Sequence, residues 1–242
     1  MEIKILIGCS SYYNHKWKGI FYPEDLPAKQ WFEYYCNHFK TFEINSSFYR
    51  IPTLKSLQTW FEKTPADFTF SVKGPKAITH EKRFVDCKAE LDRFYDACRN
   101  GLKEKCGPIL FQLPPSYQFE PENLQQILDS MNPDFVNVIE FRNESWWNDE
   151  TFEALRSANV IFCNVSYPKL PETTIETSFT GYFRLHGNRR LFYSTYEREE
   201  LNRILTDIKN SQFETAYVYF NNTASAAGIE NALLLQNLIS GI

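Results

Sequence analysis

The sequence predicts a single (β/α)8 barrel of the TIM type over residues 1–242, and three observations lead to it. Eight short apolar, β-branched runs alternate with helical patterns from end to end, an alternation that builds parallel sheets. Polar side chains collect at the C-terminal ends of most of those runs, where this fold carries its sites. No linker, low-complexity tract or composition break divides the chain, and no GxGxxG or GxxxxGK[ST] follows a strand, which disfavours open nucleotide-binding sheets.

The elements follow in order. Ile3–Cys9 is an apolar run ended by Gly8 and the Ser10–Ser11 pair, the first strand. An aromatic loop follows, Tyr12 to Tyr22, with His15, Lys16, Trp17 and Lys18. Pro27 stands where a first helical turn tolerates it, and Trp31, Tyr34, Tyr35 and Phe39 continue at helical spacing, with His38 on the surface. Thr41–Ile44 is the second strand, Thr53–Lys63 a helix with Leu54, Leu57, Trp60 and Phe61 on one face, and Phe68–Val72 the third strand. A loop, Gly74–Arg83, leads to a helix over Lys88–Leu102. Ile109–Leu113, stopped by Pro114-Pro115, is the fourth strand, and Pro121–Met131 the next helix. Phe135–Phe141 is the fifth strand; Asn148 or Asp149 caps a helix that runs to Ala158. Val160–Val165 is the sixth strand, and the proline-interrupted segment Tyr167–Thr177 carries no helix. Gly181–His186, a helix Tyr196–Asn210, Thr215–Phe220 and a last helix Ser225–Ile239 complete the count.

Composition bounds the function. A hydrophobic share of 43% with 23% charged residues is that of an ordinary globular protein. Aromatics are abundant, with 21 Phe and 14 Tyr, and the first expectation is that they fill the core. A net charge of -4 gives no general basic footprint for nucleic acid. The six cysteines, at 9, 36, 87, 98, 106 and 163, show no CxxC or zinc-ribbon spacing. No apolar run reaches membrane-spanning length, and Ile3–Ile7 lacks the pattern of a secretory leader. The expectation is a cytoplasmic protein with reduced thiols and no membrane partner.

The strand ends carry the candidate chemistry. Glu43 and Asn45 share parity, so both point to one side of the second strand. A carboxylate aimed inward at the end of an apolar strand is costly unless paired or used. The other ends supply Cys9 and Ser10, Lys73, Gln112, Glu140 with Arg142, Asn164, Arg184 with His186, and Asn221. Any one of these is explained by a solvated strand end or a salt bridge plugging the barrel. Paired at i, i+2 on several strands, they predict one charge-mixed pocket in which Glu43 and Glu140 balance Lys73, Arg142 and Arg184.

Such a pocket permits proton transfer by Glu43 and Glu140 as acid/base groups with Lys73 and His186 as partners. Arg142 and Arg184 would orient an anion; Asn45, Gln112, Asn221, Tyr49 and His80 would add hydrogen bonds. Lys73 reads first as a salt-bridge partner and second as a base or Schiff-base nucleophile. A metal held by Glu43, Glu140 and His186 is disfavoured by the surrounding cations and by the lack of H-x-x-x-H or H-x-D patterns. The loops His186–Arg190 and Asn221–Ser225 follow the last two strands, a frequent phosphate position in this fold. The leading expectation is an enzyme acting on a small anionic, phosphorylated or sugar-like ligand. A metal-dependent nucleic-acid hydrolase, with Trp17, Lys16 and Lys18 stacking and holding unpaired bases, and a non-catalytic binding barrel are the alternatives. No cofactor motif accompanies these residues.

Several words of the sequence, in order, are those of a known family: Phe21-Tyr22-Pro23, Leu26-Pro27, Phe42-Glu43-Ile44-Asn45 with Phe48-Tyr49, Ile78-Thr79-His80, Gly107-Pro108, Gln112-Leu113-Pro114-Pro115, Glu140-Phe141-Arg142 with Ser145-Trp146, Arg184-Leu185-His186-Gly187, and Tyr219-Phe220-Asn221-Asn222 with Asn231-Ala232. Over nearly its whole length the chain resembles the YecE-like family of domains of unknown function, number seventy-two. The resemblance implies a TIM-type barrel and no settled activity; members have been likened to metal-dependent DNA-repair endonucleases of the same fold. The chain departs from the family pattern at Ser11-Tyr12, where Gly-Trp is frequent, at Asn143, where a His is usual, and at Thr223, where an Asp is usual. Those departures remove a histidine and a carboxylate from any metal-ligand set.

Overall fold

The computed structural model describes residues 2–241. Eight parallel strands form one sheet in the order β1-β8-β7-β6-β5-β4-β3-β2. They are β1 (Lys4–Cys9), β2 (Thr41–Ile44), β3 (Thr69–Lys73), β4 (Cys106–Gln112), β5 (Asn137–Glu140), β6 (Ile161–Ser166), β7 (Thr180–Leu185) and β8 (Thr215–Phe220). Around them lie α1 (Trp31–His38), α2 (Leu54–Glu62), α3 (Lys88–Leu102), α4 (Pro121–Ser130), α5 (Asp149–Ser157), α6 (Arg198–Asn210) and α7 (Ala227–Ser240). No helix among the described residues is long and apolar enough to cross a membrane. The fifth strand, Asn137–Glu140, is shorter than the expected run Phe135–Phe141: Val136 is exposed before it, and Phe141, though buried, lies past the end of the ladder.

Parallel backbone ladders join every neighbouring pair from β1 through β8 round to β2, with a register shift in the β3–β4 ladder between Phe70 and Val72. Closure between β1 and β2 is different. Gly8 approaches so near that an added Cβ would stand 2.5 Å from the Thr41 carbonyl oxygen. Tyr35 of α1 then inserts its phenol into the seam: the hydroxyl accepts from the Cys9 N–H (2.8 Å) and donates to the Thr41 carbonyl (3.0 Å). A helix side chain thus satisfies two strand groups that would otherwise be buried and unpaired.

The aromatic surplus is core, as composition suggested. Phe32 meets Trp60 edge to face at 4.6 Å, and Tyr22 stacks on Trp31 at 4.7 Å. The loop Tyr12–Tyr22 packs on the barrel rim. Asn14 Nδ2 donates to the Thr223 carbonyl (2.7 Å), Lys16 Nζ to that of Ala224 (3.0 Å) and Trp17 Nε1 to that of Ser225 (3.0 Å). Trp17 has no exposed surface, so the expectation that it offers a stacking face to bases is corrected. Where a loop was expected after β3, Ala77–Glu81 makes one wide π-helical turn closed by the Lys82 N–H on the Ala77 carbonyl. Hydropathy periodicity gives no warning of a single such turn.

Candidate functional site

Parity and depth along each strand decide what the barrel mouth contains. On β7, Tyr182, Arg184 and His186 alternate inward with Phe183 and Leu185 outward, so three polar groups rise in layers toward the C-terminal end. At the lowest layer the Tyr219 hydroxyl meets Ser71 Oγ at 2.8 Å and the Thr41 hydroxyl. Above it the Tyr182 hydroxyl donates to Glu43 Oε2 (2.7 Å).

The next layer is an ion network closed to solvent. Arg184 presents its guanidinium side-on to Glu43, Nη2 to Oε1 at 2.7 Å and Nε to Oε2 at 2.9 Å. Its Nη1 donates to Glu140 Oε2, and Nη2 also donates to Asn221 Oδ1 (2.6 Å). Arg142 donates Nε to Glu140 Oε1 and lays its guanidinium 4.1 Å from the Tyr167 ring. Burial by itself would raise both carboxyls; the Arg184 guanidinium outweighs it at Glu43, and Arg142 with Arg184 outweighs it at Glu140, holding Glu140 well below the usual carboxylate range. Both carboxylates are therefore ionised, and neither has any exposed surface.

Over this floor lies a cavity of about 260 Å³ whose lining includes Asn45, Phe48, Tyr49, Lys73, Gln112, Arg142, Tyr167, Arg184, His186 and Asn221. Lys73 donates Nζ to Gln112 Oε1 (2.9 Å) and stands 4.1 Å from the Phe48 ring centre. Gln112 is fixed in that orientation because its Nε2 donates to the Leu113 carbonyl (2.8 Å). Among the described residues no carboxylate lies within salt-bridge distance of Lys73, which corrects its reading as a salt-bridge partner. Burial, reinforced by Arg184, draws its amine down to about 8.

His186 faces the same cavity. Its Nε2 lies 3.0 Å from Arg142 Nη2 and 3.4 Å from Arg184 Nη1. Nε2 also lies 3.4 Å from Glu140 Oε1; its shortest contact is the obligate donor Arg142 Nη2, so Nε2 is assigned as the acceptor and the proton to Nδ1. Burial and the Arg142 charge push its pKa down to about 3, and the ring is neutral at pH 7. His186 Nδ1 and Asn45 Oδ1 are each buried without a hydrogen-bond partner, on two residues that both line the cavity.

The residues expected at the site thus divide. Asn45, Lys73, Gln112, Arg142, Arg184, His186, Asn221 and Tyr49 line the cavity, Tyr49 at its mouth with 76% of its surface exposed. Glu43 and Glu140 lie beneath and do not line it. His80 touches Phe48, with ring centres 5.1 Å apart, and pairs Nδ1 with the Thr79 hydroxyl, outside the lining. Cys9 and Asn164 point away from the barrel axis; Asn164 instead ties down the segment after β6 through Ile175 N (2.7 Å). Tyr167 and Phe48 were missed. Tyr167 was legible: Ile161, Cys163 and Val165 point inward, so inward parity continues to 167 and not to 164.

Two further readings of the sequence, a disfavoured metal site and an anion site in the last loops, bear on the mouth. Among the described residues no three His, Cys, Asp or Glu side chains gather as a metal site, and the oxygens of Glu43 and Glu140 are already taken by guanidinium, phenol and amide donors. In the loop after β7, Arg189 turns toward Glu200 (3.6 Å) and Arg190 over the Tyr193 ring (4.5 Å). Neither arginine joins the cavity lining, so the cations available to an anion are those inside the barrel mouth.

Comparison with known proteins places the chain. The family model described as "Protein of unknown function DUF72" matches residues 6–241. The UPF0759 protein YecE of Escherichia coli K12 is 29% identical over 118 residues, 48% of this chain and 42% of that protein, so the match spans less than half of the curated relative. A DUF72 family protein from Thermotoga maritima superposes with a TM-score of 0.89 at 28% identity, over 98% of this chain and 99% of that one. Another, from Enterococcus faecalis V583, gives 0.86 at 19% identity over 98% and 95%. A β-mannanase from the blue mussel Mytilus edulis shares the fold alone, with a TM-score of 0.53 at 8% identity over 96% and 92%. With its eight parallel strands and this match along almost its entire length, the chain belongs to the DUF72 family.

Proposed function

We propose that the barrel mouth binds a small anion that carries a further polar group, and that the protein is an enzyme acting on it. The observation that supports this reading is the Lys73 ammonium, half-buried in the cavity against a neutral amide oxygen and an aromatic ring. A buried cation without a counter-charge is costly. In the cavity and its floor, Lys73, Arg142 and Arg184 face only Glu43 and Glu140, leaving one positive charge for a ligand to neutralise.

Each lining group has a place in that reading. Arg184 spends all its nitrogens on the floor and contributes field, not contact. Arg142 retains Nη1, which donates to nothing among the described residues, and with Lys73 it forms the anion position. His186 and Asn45, both in the lining and each with one unpaired polar atom, are the neutral polar groups beside the anion position. Glu43 and Glu140 serve as the countercharge that holds the guanidiniums rigid, not as the acid/base pair. A cavity of about 260 Å³ suits a small ligand of triose or hydroxy-acid size.

Titration calorimetry with glycolate, acetate and inorganic phosphate tests the reading. Glycolate should bind the native protein with a salt-sensitive affinity that Lys73→Met and Arg142→Gln each reduce at least tenfold. Equal affinity in native protein and both variants would show that the anion sits elsewhere.

A further inference from the structure

We infer that Lys73 is a carbonyl-trapping nucleophile, and that the ligand class of this cavity is a small oxo-acid bound through its carboxylate at Arg142 and condensed at its carbonyl with the Lys73 amine. This rests on the anion reading above and adds a covalent step to it.

The geometry separates the two jobs. Arg142 is anchored through Nε to Glu140 and through Nη2 to His186, and its ring contact with Tyr167 fixes the guanidinium plane. The free Nη1 is thus a rigid donor for a carboxylate. Lys73 is held differently. Among the described residues its one side-chain hydrogen bond goes to Gln112 Oε1, a neutral acceptor that orients the amine but does not stabilise its charge. An amine placed against a carboxylate stays protonated and inert; one placed against an amide in a cationic cavity gives up its proton readily.

The step balances. The neutral Nζ attacks the carbonyl carbon, and a C–N bond forms as the C=O π pair moves to oxygen. The attacking nitrogen gives up one proton and the carbonyl oxygen gains one, relayed between them by solvent in the cavity, so that a neutral carbinolamine forms. Loss of the hydroxyl as water leaves the imine. No oxidant or reductant enters, since amine and carbonyl give imine and water.

The free amine population is large enough to matter. With Nζ at about 8, about a tenth is neutral at pH 7, roughly two-hundredfold more than for an exposed lysine.

The full-length protein is incubated with glyoxylate and sodium cyanoborohydride, and the adduct is located by peptide mass mapping over a series of pH values. The expected result is a reduced adduct on the Lys73 peptide ahead of every other lysine, with labelling half-maximal near pH 8. Exposed lysines should continue to gain label well above pH 9. Lys73→Arg should abolish this adduct while the other lysines label as before. Gln112→Glu, which gives the amine a carboxylate partner, should move the labelling midpoint upward, a change that a merely structural Gln112 would not produce. Labelling spread over surface lysines with Lys73 unmodified, while glycolate still binds, overturns the nucleophile and leaves the anion site standing. Loss of glycolate binding in the native protein overturns the anion site itself, and the pH profile of Lys73 labelling then decides the nucleophile alone.

Discussion

Glu43 and Arg184 meet side-on through two hydrogen bonds, 2.7 and 2.9 Å, with neither side chain open to solvent. Strands far apart in sequence and across the barrel are thereby joined at the floor of the candidate site. The pair sets the electrostatics above it: its charges cancel, Glu140 offsets Arg142, and Lys73 carries the net positive charge that the cavity presents.

Removing one charge from this floor should unfold before it inactivates. Glu140→Gln leaves Arg142 and Arg184 sharing a single buried carboxylate, and loss of one partner of a buried pair costs about 3–5 kcal/mol. Urea denaturation should show this loss, with a smaller effect for Asn221→Ala. An unchanged midpoint for Glu140→Gln would mean that the floor is hydrated.

Lys73→Met should stabilise. The folded state draws the amine down to about 8, so below that pH the protonated chain favours the unfolded state, and native stability should recover as pH rises from 8 toward 10.5. Methionine removes the buried charge and packs on Phe48, which should raise stability by about 1–2 kcal/mol at pH 7 while binding is lost. A destabilised Lys73→Met protein would contradict the absence of a counter-charge.

His186 should govern stability in mild acid. Its imidazole takes a proton near 6.5 when unfolded and near 3 when folded. Between those values the unfolded chain binds more protons, so stability falls as pH drops, by about 1.4 kcal/mol per unit at most. Denaturation at pH 7, 6 and 5 should show that slope, and His186→Gln should flatten it. The lowered carboxyls of Glu43 and Glu140 act in the same direction, but only below about pH 4.3, where the unfolded chain begins to protonate its glutamates.

The β1–β2 seam depends on one phenol. Tyr35→Phe keeps the ring and strands the Cys9 N–H and the Thr41 carbonyl, at a cost of about 1–3 kcal/mol. Amide exchange at Cys9 should accelerate more than exchange in the β7–β8 ladder. Equal acceleration of both would place closure elsewhere.

Much of this molecule is determined by local pattern. The alternation of apolar runs with helical spacing fixes eight strands and their order of appearance, because a strand's two-residue and a helix's 3.6-residue period are properties of neighbouring residues. The i, i+2 pairs at Glu43, Glu140 and Arg184 likewise reveal inward-facing polar side chains. Tertiary structure alone decided their depth. Whether a strand-end residue lies in the floor or lines the cavity depends on the tilt and stagger with which the barrel closes, and these place Glu43 below the surface and Lys73 at it. Ion pairing was decided the same way: Lys73 and Glu43 look complementary in sequence, but Arg184 arrives from across the barrel and takes the carboxylate, leaving Lys73 with an amide.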